Sequence, residues 1–93
     1  MPQHLKLLIY DYVEDVVERR APHRPAHLEL IGDWVEDGRI LMGGATGDPP
    51  AGGLIVFSEA GDPEAFAAVD PYVREGIVTA WRVEPWTVVT GDL

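Results

Sequence analysis

Residues 53–58 read GLIVFS, and residues 4–10 read HLKLLIY. Both stretches favour extended strands, in which successive side chains point to opposite faces of a sheet. The two faces of residues 4–10 are both largely apolar: Leu5, Leu7 and Ile9 share one, and Lys6, Leu8 and Tyr10 share the other. A sheet built around these two strands therefore has apolar side chains on both of its faces.

Helix signals lie outside these strands. Pro25 suits the first position of a helix, where its missing N–H costs nothing, and Gly38 is well placed to end that helix after Asp37. A second helix is predicted to begin at Asp62-Pro63, with the aspartate as its cap. Asp70-Pro71 repeats this signal and predicts a further short turn up to Gly76.

The helical pattern also predicts which side chains face the core. In the first long helix the predicted apolar stripe contains Leu28, Ile31, Trp34 and Val35, with His27 at its edge. In the second helix Phe66 and Val69 are predicted to point inward.

The remaining segments complete the topology. Residues 39–43 and 77–85 are predicted strands, residues 13–20 a short helical segment, residues 44–53 a Gly- and Pro-rich loop, and residues 86–89 an extended tail. The resulting order is β-α-β-β-α-β over a single domain, residues 1–93. Two helices on one face of a four-stranded antiparallel sheet make a ferredoxin-like α+β fold.

One face of such a sheet has no helix to cover it. An apolar face of this size is unusual on a soluble monomer, so we expect a homodimer that packs through the open sheet faces. A long hairpin loop folded over the sheet is the competing explanation.

Composition limits the function classes. The 93 residues include no cysteine and carry a net charge of −9, from 7 Lys and Arg against 16 Asp and Glu. This charge disfavours nucleic acids and anionic membrane surfaces. No stretch reaches the ~20 apolar residues of a membrane span, and no signal peptide is evident. We therefore expect a cytoplasmic protein.

Four segments together resemble the YciI family, also called YCII-related proteins. They are RPAHL at residues 24–28, DGRILMGG at 37–44, DPYV with the following GI at 70–77, and VEPW at 83–86. The resemblance covers nearly the whole chain. It implies a dimeric α+β barrel, similar in fold to muconolactone isomerase, with a pocket that holds a catalytic His and Asp. One related branch removes chloride from a chlorinated hydroxyhydroquinone, which suggests elimination or isomerisation.

The resemblance places the catalytic pair at His27 and Asp70. A neutral imidazole can accept a proton near pH 7, and a carboxylate beside it would orient it. The alternatives are a histidine that only packs at the helix edge and an aspartate that only caps the next helix. For substrate binding we single out Arg24, one turn before His27, and Tyr72. Arg24 alternatively pairs with a surface acid, and Tyr72 alternatively lies at the core edge.

No cofactor motif is present in the sequence, and the histidine spacing follows no metal-ligand pattern, so we expect neither a cofactor nor a metal. Two functions remain open. One is an enzyme with His27 as general base and Asp70 as its orienting partner, acting on a small substrate, with aromatic compounds among the candidates. The other is a non-catalytic module that binds a metabolite or a partner on the same dimeric scaffold.

Overall fold

The computed structural model describes residues 2–91. Its helices and strands follow in the order β1 (Gln3–Tyr12), α1 (Val16–Arg20), α2 (Arg24–Glu36), β2 (Ile40–Thr46), β3 (Gly52–Phe57), α3 (Pro63–Val69), α4 (Pro71–Arg74) and β4 (Val78–Val88). The four strands form one antiparallel sheet in the order β2-β3-β1-β4. This is the predicted ferredoxin-like α+β fold, with α1 and α4 as short additions. That residues 1–93 form a single domain stays a prediction.

Several predicted boundaries are wrong because strand pairing continues past them. The predicted loop over residues 44–53 is shorter, spanning only residues 47–51, because β2 continues to Thr46 and pairs there with Gly52 of β3. The predicted tail over residues 86–89 is mostly strand as well, since β4 remains paired with β1 up to Val88 opposite Gln3. Backbone hydrogen bonds to a neighbouring strand outweigh the weak local preference of glycine- and proline-rich segments.

The main core lies between the helices and one face of the sheet. Its buried members from the sheet include Leu8, Tyr10, Ile40, Ile55 and Phe57, and those from the helices include Val16, Trp34, Phe66 and Tyr72. Trp34 and Phe66 meet edge to face with ring centroids 5.2 Å apart, a favourable arrangement for two aromatic rings.

The predicted apolar helix faces are only partly buried. Leu28, Val35 and Val69 are exposed by 48%, 45% and 48%, so the prediction that they point inward is wrong. In α2 the buried residues are His27 and Trp34, two helical turns apart. The helix therefore rests on the sheet along a narrower line than the sequence pattern indicates, and His27 lies on that line.

The opposite sheet face carries a second apolar cluster of Leu5, Val56 and Val88, with Leu7 against it. No helical residue within 2–91 belongs to this cluster. Met42 and Trp86, whose strand partners are Val56 and Leu5, are 47% and 40% exposed. We call this surface the open face; it is defined by these six residues together with Ile9 and Leu54.

Within residues 2–91, the helices are too short or too polar for any of them to cross a membrane.

Candidate functional site

His27 and Asp70 come together at the junction of three helices. His27 is the fourth residue of α2, and Asp70 lies between α3 and α4. The Nδ1 atom of His27 is 2.7 Å from Oδ1 of Asp70. Both side chains are buried, with His27 6% exposed and Asp70 fully inaccessible. At this distance the two groups share a strong, charge-assisted type of hydrogen bond.

The Asp70 carboxylate accepts three hydrogen bonds. Its Oδ1 accepts from the backbone N–H of Tyr72 at 3.0 Å, which caps α4, as well as from His27. Its Oδ2 accepts from the Tyr10 hydroxyl at 2.6 Å. A carboxylate has room for all three donors. Asp70 is therefore both a helix cap and the partner of His27, so the two readings of this residue do not compete.

The Asp70 contact fixes the orientation of the imidazole ring. An ionised carboxylate only accepts hydrogen bonds, so the neutral tautomer of His27 that satisfies this contact has its hydrogen on Nδ1 and its lone pair on Nε2. The ring of Tyr72 stacks on the ring of His27 with centroids 3.6 Å apart and planes within 4° of parallel. His27 is thereby held from its edge by Asp70 and on its face by Tyr72.

A cavity of about 230 Å³ opens beside this pair. We call it the His27 cavity; it is lined by Tyr12, Arg20, Arg24, His27, Leu28, Ile31, Gly43, Gly44, Ala45, Pro50, Gly53, Ile55 and Tyr72. No Asp or Glu lies among these lining residues. Its walls are formed by residues of α1, α2 and α4 and of the strands β1, β2 and β3, together with Pro50 of the β2–β3 turn.

The tyrosines around the site have raised pKa values. Burial, and then the charge and hydrogen bond of Asp70, raise the pKa of Tyr10. Burial raises the pKa of Tyr12 to about 12, although the charges of Arg20 and Arg24 oppose the shift. Burial also raises the pKa of Tyr72, against the same two arginines. All three phenols are therefore protonated hydrogen-bond donors at neutral pH.

The four residues singled out from the sequence all lie at this place. His27, Arg24 and Tyr72 line the cavity, and Asp70 sits directly behind His27. The expected pairing of Arg24 with a surface acid does not occur: no carboxylate within residues 2–91 lies within 4.0 Å of its guanidinium.

Sequence reasoning missed Tyr10, Tyr12 and Arg20. Strand alternation already placed Tyr10 on the face of Leu8, yet its bond to Asp70 spans 60 positions and has no local signal. Arg20 lies in α1, and no helical periodicity connects it with the cavity residues of α2.

Within the part of the chain that the structure describes, no three His, Asp or Glu side chains are grouped so as to hold a metal ion. His23, outside the cavity, faces Glu75 at 3.8 Å.

The sequence is similar to a known domain family and to two named proteins. The model of the YCII-related domain matches residues 5–87. The proteins named YciI from Escherichia coli O6:H1 and from Shigella flexneri are each 31% identical over 86 residues, covering 81% of this chain and 88% of theirs.

Among solved structures, the fold is similar to 5-chloro-2-hydroxyhydroquinone dehydrochlorinase from Burkholderia phenoliruptrix, solved in complex with 2,5-dihydroxybenzoquinone. The TM-score is 0.70 at 23% identity, over 88% of this chain and 92% of that one. This likeness supports the shared fold. The family follows from the match over residues 5–87 and the 31% identity to the YciI proteins: this chain belongs to the YCII-related domain family.

Proposed function

We propose that this protein is an enzyme for a small molecule, in which His27 is the general base and Asp70 its orienting partner. The observation that carries the proposal is the 2.7 Å bond between Nδ1 of His27 and Oδ1 of Asp70, at the wall of a cavity. A base held in this way needs no further rearrangement before it accepts a proton through Nε2.

The first step is a proton transfer. A C–H or O–H bond of the substrate breaks, its proton goes to Nε2 of His27, and its electron pair stays on the substrate. The imidazolium that forms is stabilised by the Asp70 carboxylate and by the face of the Tyr72 ring stacked upon it.

Two outcomes complete the reaction. In an isomerisation, the imidazolium returns the proton to a different atom of the same substrate. In an elimination, the electron pair forms a double bond while the bond to a leaving group such as chloride breaks and its two electrons depart with that group. The imidazolium then releases its proton to solvent, which restores the neutral base. The dehydrochlorinase with a similar fold carries out a reaction of the second kind by its name. Neither outcome requires a redox partner.

A substrate screen with matched variants tests the proposal. Chlorinated and hydroxylated aromatics and small lactones are offered to the wild-type protein, to His27→Ala and to His27→Gln. We expect turnover of at least one compound, and a loss of about 10²- to 10⁴-fold in rate in both variants. Turnover that is unchanged in both variants contradicts the role of His27.

A non-catalytic metabolite-binding module is the second candidate, favoured by the cavity of about 230 Å³ that opens beside His27. Its signature in the same screen is saturable binding of a compound that the wild-type protein never converts.

The proposal also includes a homodimeric assembly and a cytoplasmic location. The open face carries large exposed side chains such as Met42 and Trp86 over a buried apolar cluster, and a second copy of the chain packed against it gives a homodimer. The absence of cysteine from the sequence supports a cytoplasmic location.

A further inference from the structure

We infer that Arg20, Arg24 and the hydroxyl of Tyr72 form an oxyanion subsite in the His27 cavity, which selects a small substrate that carries a carboxylate, enolate or phenolate oxygen. The inference rests on the proposed function and names the substrate class for it. Arg20 enters the site here as a second cationic residue beside Arg24.

The charge of the cavity is opposite to that of the whole chain. Acidic residues outnumber basic ones by 16 to 7, yet two arginines and no carboxylate line the cavity. Neither Arg20 nor Arg24 has a carboxylate oxygen within 4.0 Å in residues 2–91. In a protein with so many acids, two arginines left without a carboxylate partner beside a cavity indicate that the partner is a ligand.

The Tyr72 hydroxyl is a second, independent indication. Tyr72 is 1% exposed and lines the cavity, and its buried hydroxyl has no acceptor for its hydrogen within residues 2–91. The nearby Arg24 guanidinium, whose hydrogen bonding lowers the pKa of Tyr72, can only donate. Buried hydroxyl groups almost always find an acceptor, so one that lacks it at a cavity marks a place where a ligand oxygen accepts its hydrogen. The stacking on His27 prevents the ring from turning this hydroxyl elsewhere.

The two arginines line the same cavity as the Tyr72 hydroxyl. Their positive charges oppose the rise in the pKa of both Tyr12 and Tyr72, and therefore reach the phenols on two walls of the cavity. Gly53 keeps the cavity open at Tyr12, since a Cβ atom there would lie 2.6 Å from the Tyr12 hydroxyl oxygen.

The subsite supports the chemistry of His27. When Nε2 removes a proton, the electron pair left on the substrate moves to a conjugated oxygen, which becomes an enolate or phenolate. Two guanidinium groups and a phenol hydroxyl beside that oxygen stabilise the charge where it develops. The same groups hold a substrate that is already anionic before the reaction.

Binding of benzoate and benzamide tests the inference, because the two probes share a shape and differ in charge. Calorimetric titration is made with the wild-type protein, Arg20→Gln, Arg24→Gln, Tyr72→Phe and His27→Ala. We expect benzoate to bind at least about tenfold more tightly than benzamide, and each substitution in the subsite to weaken benzoate by several-fold to tenfold. His27→Ala removes the ring stacked on Tyr72 and should weaken benzoate no more than Tyr72→Phe does, while the two arginines keep the preference for benzoate over benzamide. Failure of catalysis and failure of the subsite are therefore distinguishable.

Arg19→Gln is the matched control, since Arg19 adjoins Arg20 in α1, is exposed, and does not line the cavity. It should bind benzoate as the wild type does. Should Arg20→Gln fail to fold, Arg20→Lys replaces it, with most of the benzoate affinity retained. Equal affinity for the two probes, no benzoate binding by the folded wild-type protein, or equal effects of Arg19→Gln and Arg20→Gln would overturn the inference.

Discussion

Nδ1 of His27 and Oδ1 of Asp70 are 2.7 Å apart, although 43 positions separate the two residues in the chain. The same Asp70 oxygen accepts the backbone N–H of Tyr72 and thereby starts α4. One carboxylate therefore sets the beginning of a helix and the orientation of the proposed base. A change at Asp70 is expected to affect stability and function together.

Asp70→Ala should destabilise the protein far more than Asp62→Ala. Both aspartates precede a proline and cap a helix, but Asp62 is exposed and accepts one bond, from Ala65. Removing the buried Asp70 carboxylate leaves three donors without their acceptor, which should lower the free energy of unfolding by about 3–5 kcal/mol, against about 1 kcal/mol for Asp62. Urea unfolding measures both. Equal losses would mean that Asp70 acts only as a cap.

Tyr10→Phe should cost about 1.5–3 kcal/mol in unfolding free energy, because it removes a 2.6 Å hydrogen bond to a buried carboxylate. Tyr12→Phe is the control, since the Tyr12 hydroxyl makes no such bond to Asp70, and its effect should stay within about 0.5 kcal/mol. A double-mutant cycle of Tyr10→Phe with Asp70→Asn, followed by chemical denaturation, should show coupling between the two positions. Additive effects would contradict the contact.

The tyrosines predict a loss of stability at alkaline pH. Tyr10, Tyr12 and Tyr72 all have pKa values raised by burial, to about 12 for Tyr12. Their stabilising contribution is thus fully present below the unfolded pKa of about 10 and is lost as the pH rises toward the folded values, by up to about 1.4 kcal/mol per pH unit for each tyrosine.

Tyrosinate absorbance checks this prediction. At pH about 10 the folded protein should show little tyrosinate, while the urea-unfolded protein should be about half ionised. Tyr12→Phe should make the decline in unfolding free energy between about pH 10 and 12 less steep. Ionisation of the folded protein with a single midpoint near 10 would refute the shifts.

If the protein dimerises through the open face, a charge placed on that face should change its oligomeric state. The wild type should sediment at twice the chain mass of 10.2 kDa. Met42→Glu should return it toward one chain mass, because a charge buried at an apolar interface is costly. Val17→Glu serves as the control: Val17 is 53% exposed, similar to the 47% of Met42, but lies on α1. A monomeric wild type, or dissociation by both variants alike, would contradict pairing through this face.

Local sequence signals correctly predicted the strands and helices that have a clear side-chain alternation or a capping residue. The alternation in residues 4–10 placed Leu8 and Tyr10 on one face of the strand, and the structure shows that this is the helix-covered face, where both are buried. Asp62-Pro63 and Asp70-Pro71 begin helices in the structure as predicted. Strand ends were less predictable: residues 86–89 were predicted to be extended, but the pairing of Val88 with Gln3 and of Thr46 with Gly52 has no local signal.

The sequence by itself determined the order of elements, the fold class and, through the family resemblance, the identity of His27 and Asp70 as a pair. These follow from periodicity, caps and short motifs, which are properties of neighbouring residues. Only the tertiary structure decided that Tyr10 joins Asp70 and that Arg20 joins Arg24 at the cavity. Those contacts arise where separate elements meet, and no spacing along the chain encodes the packing that brings them together.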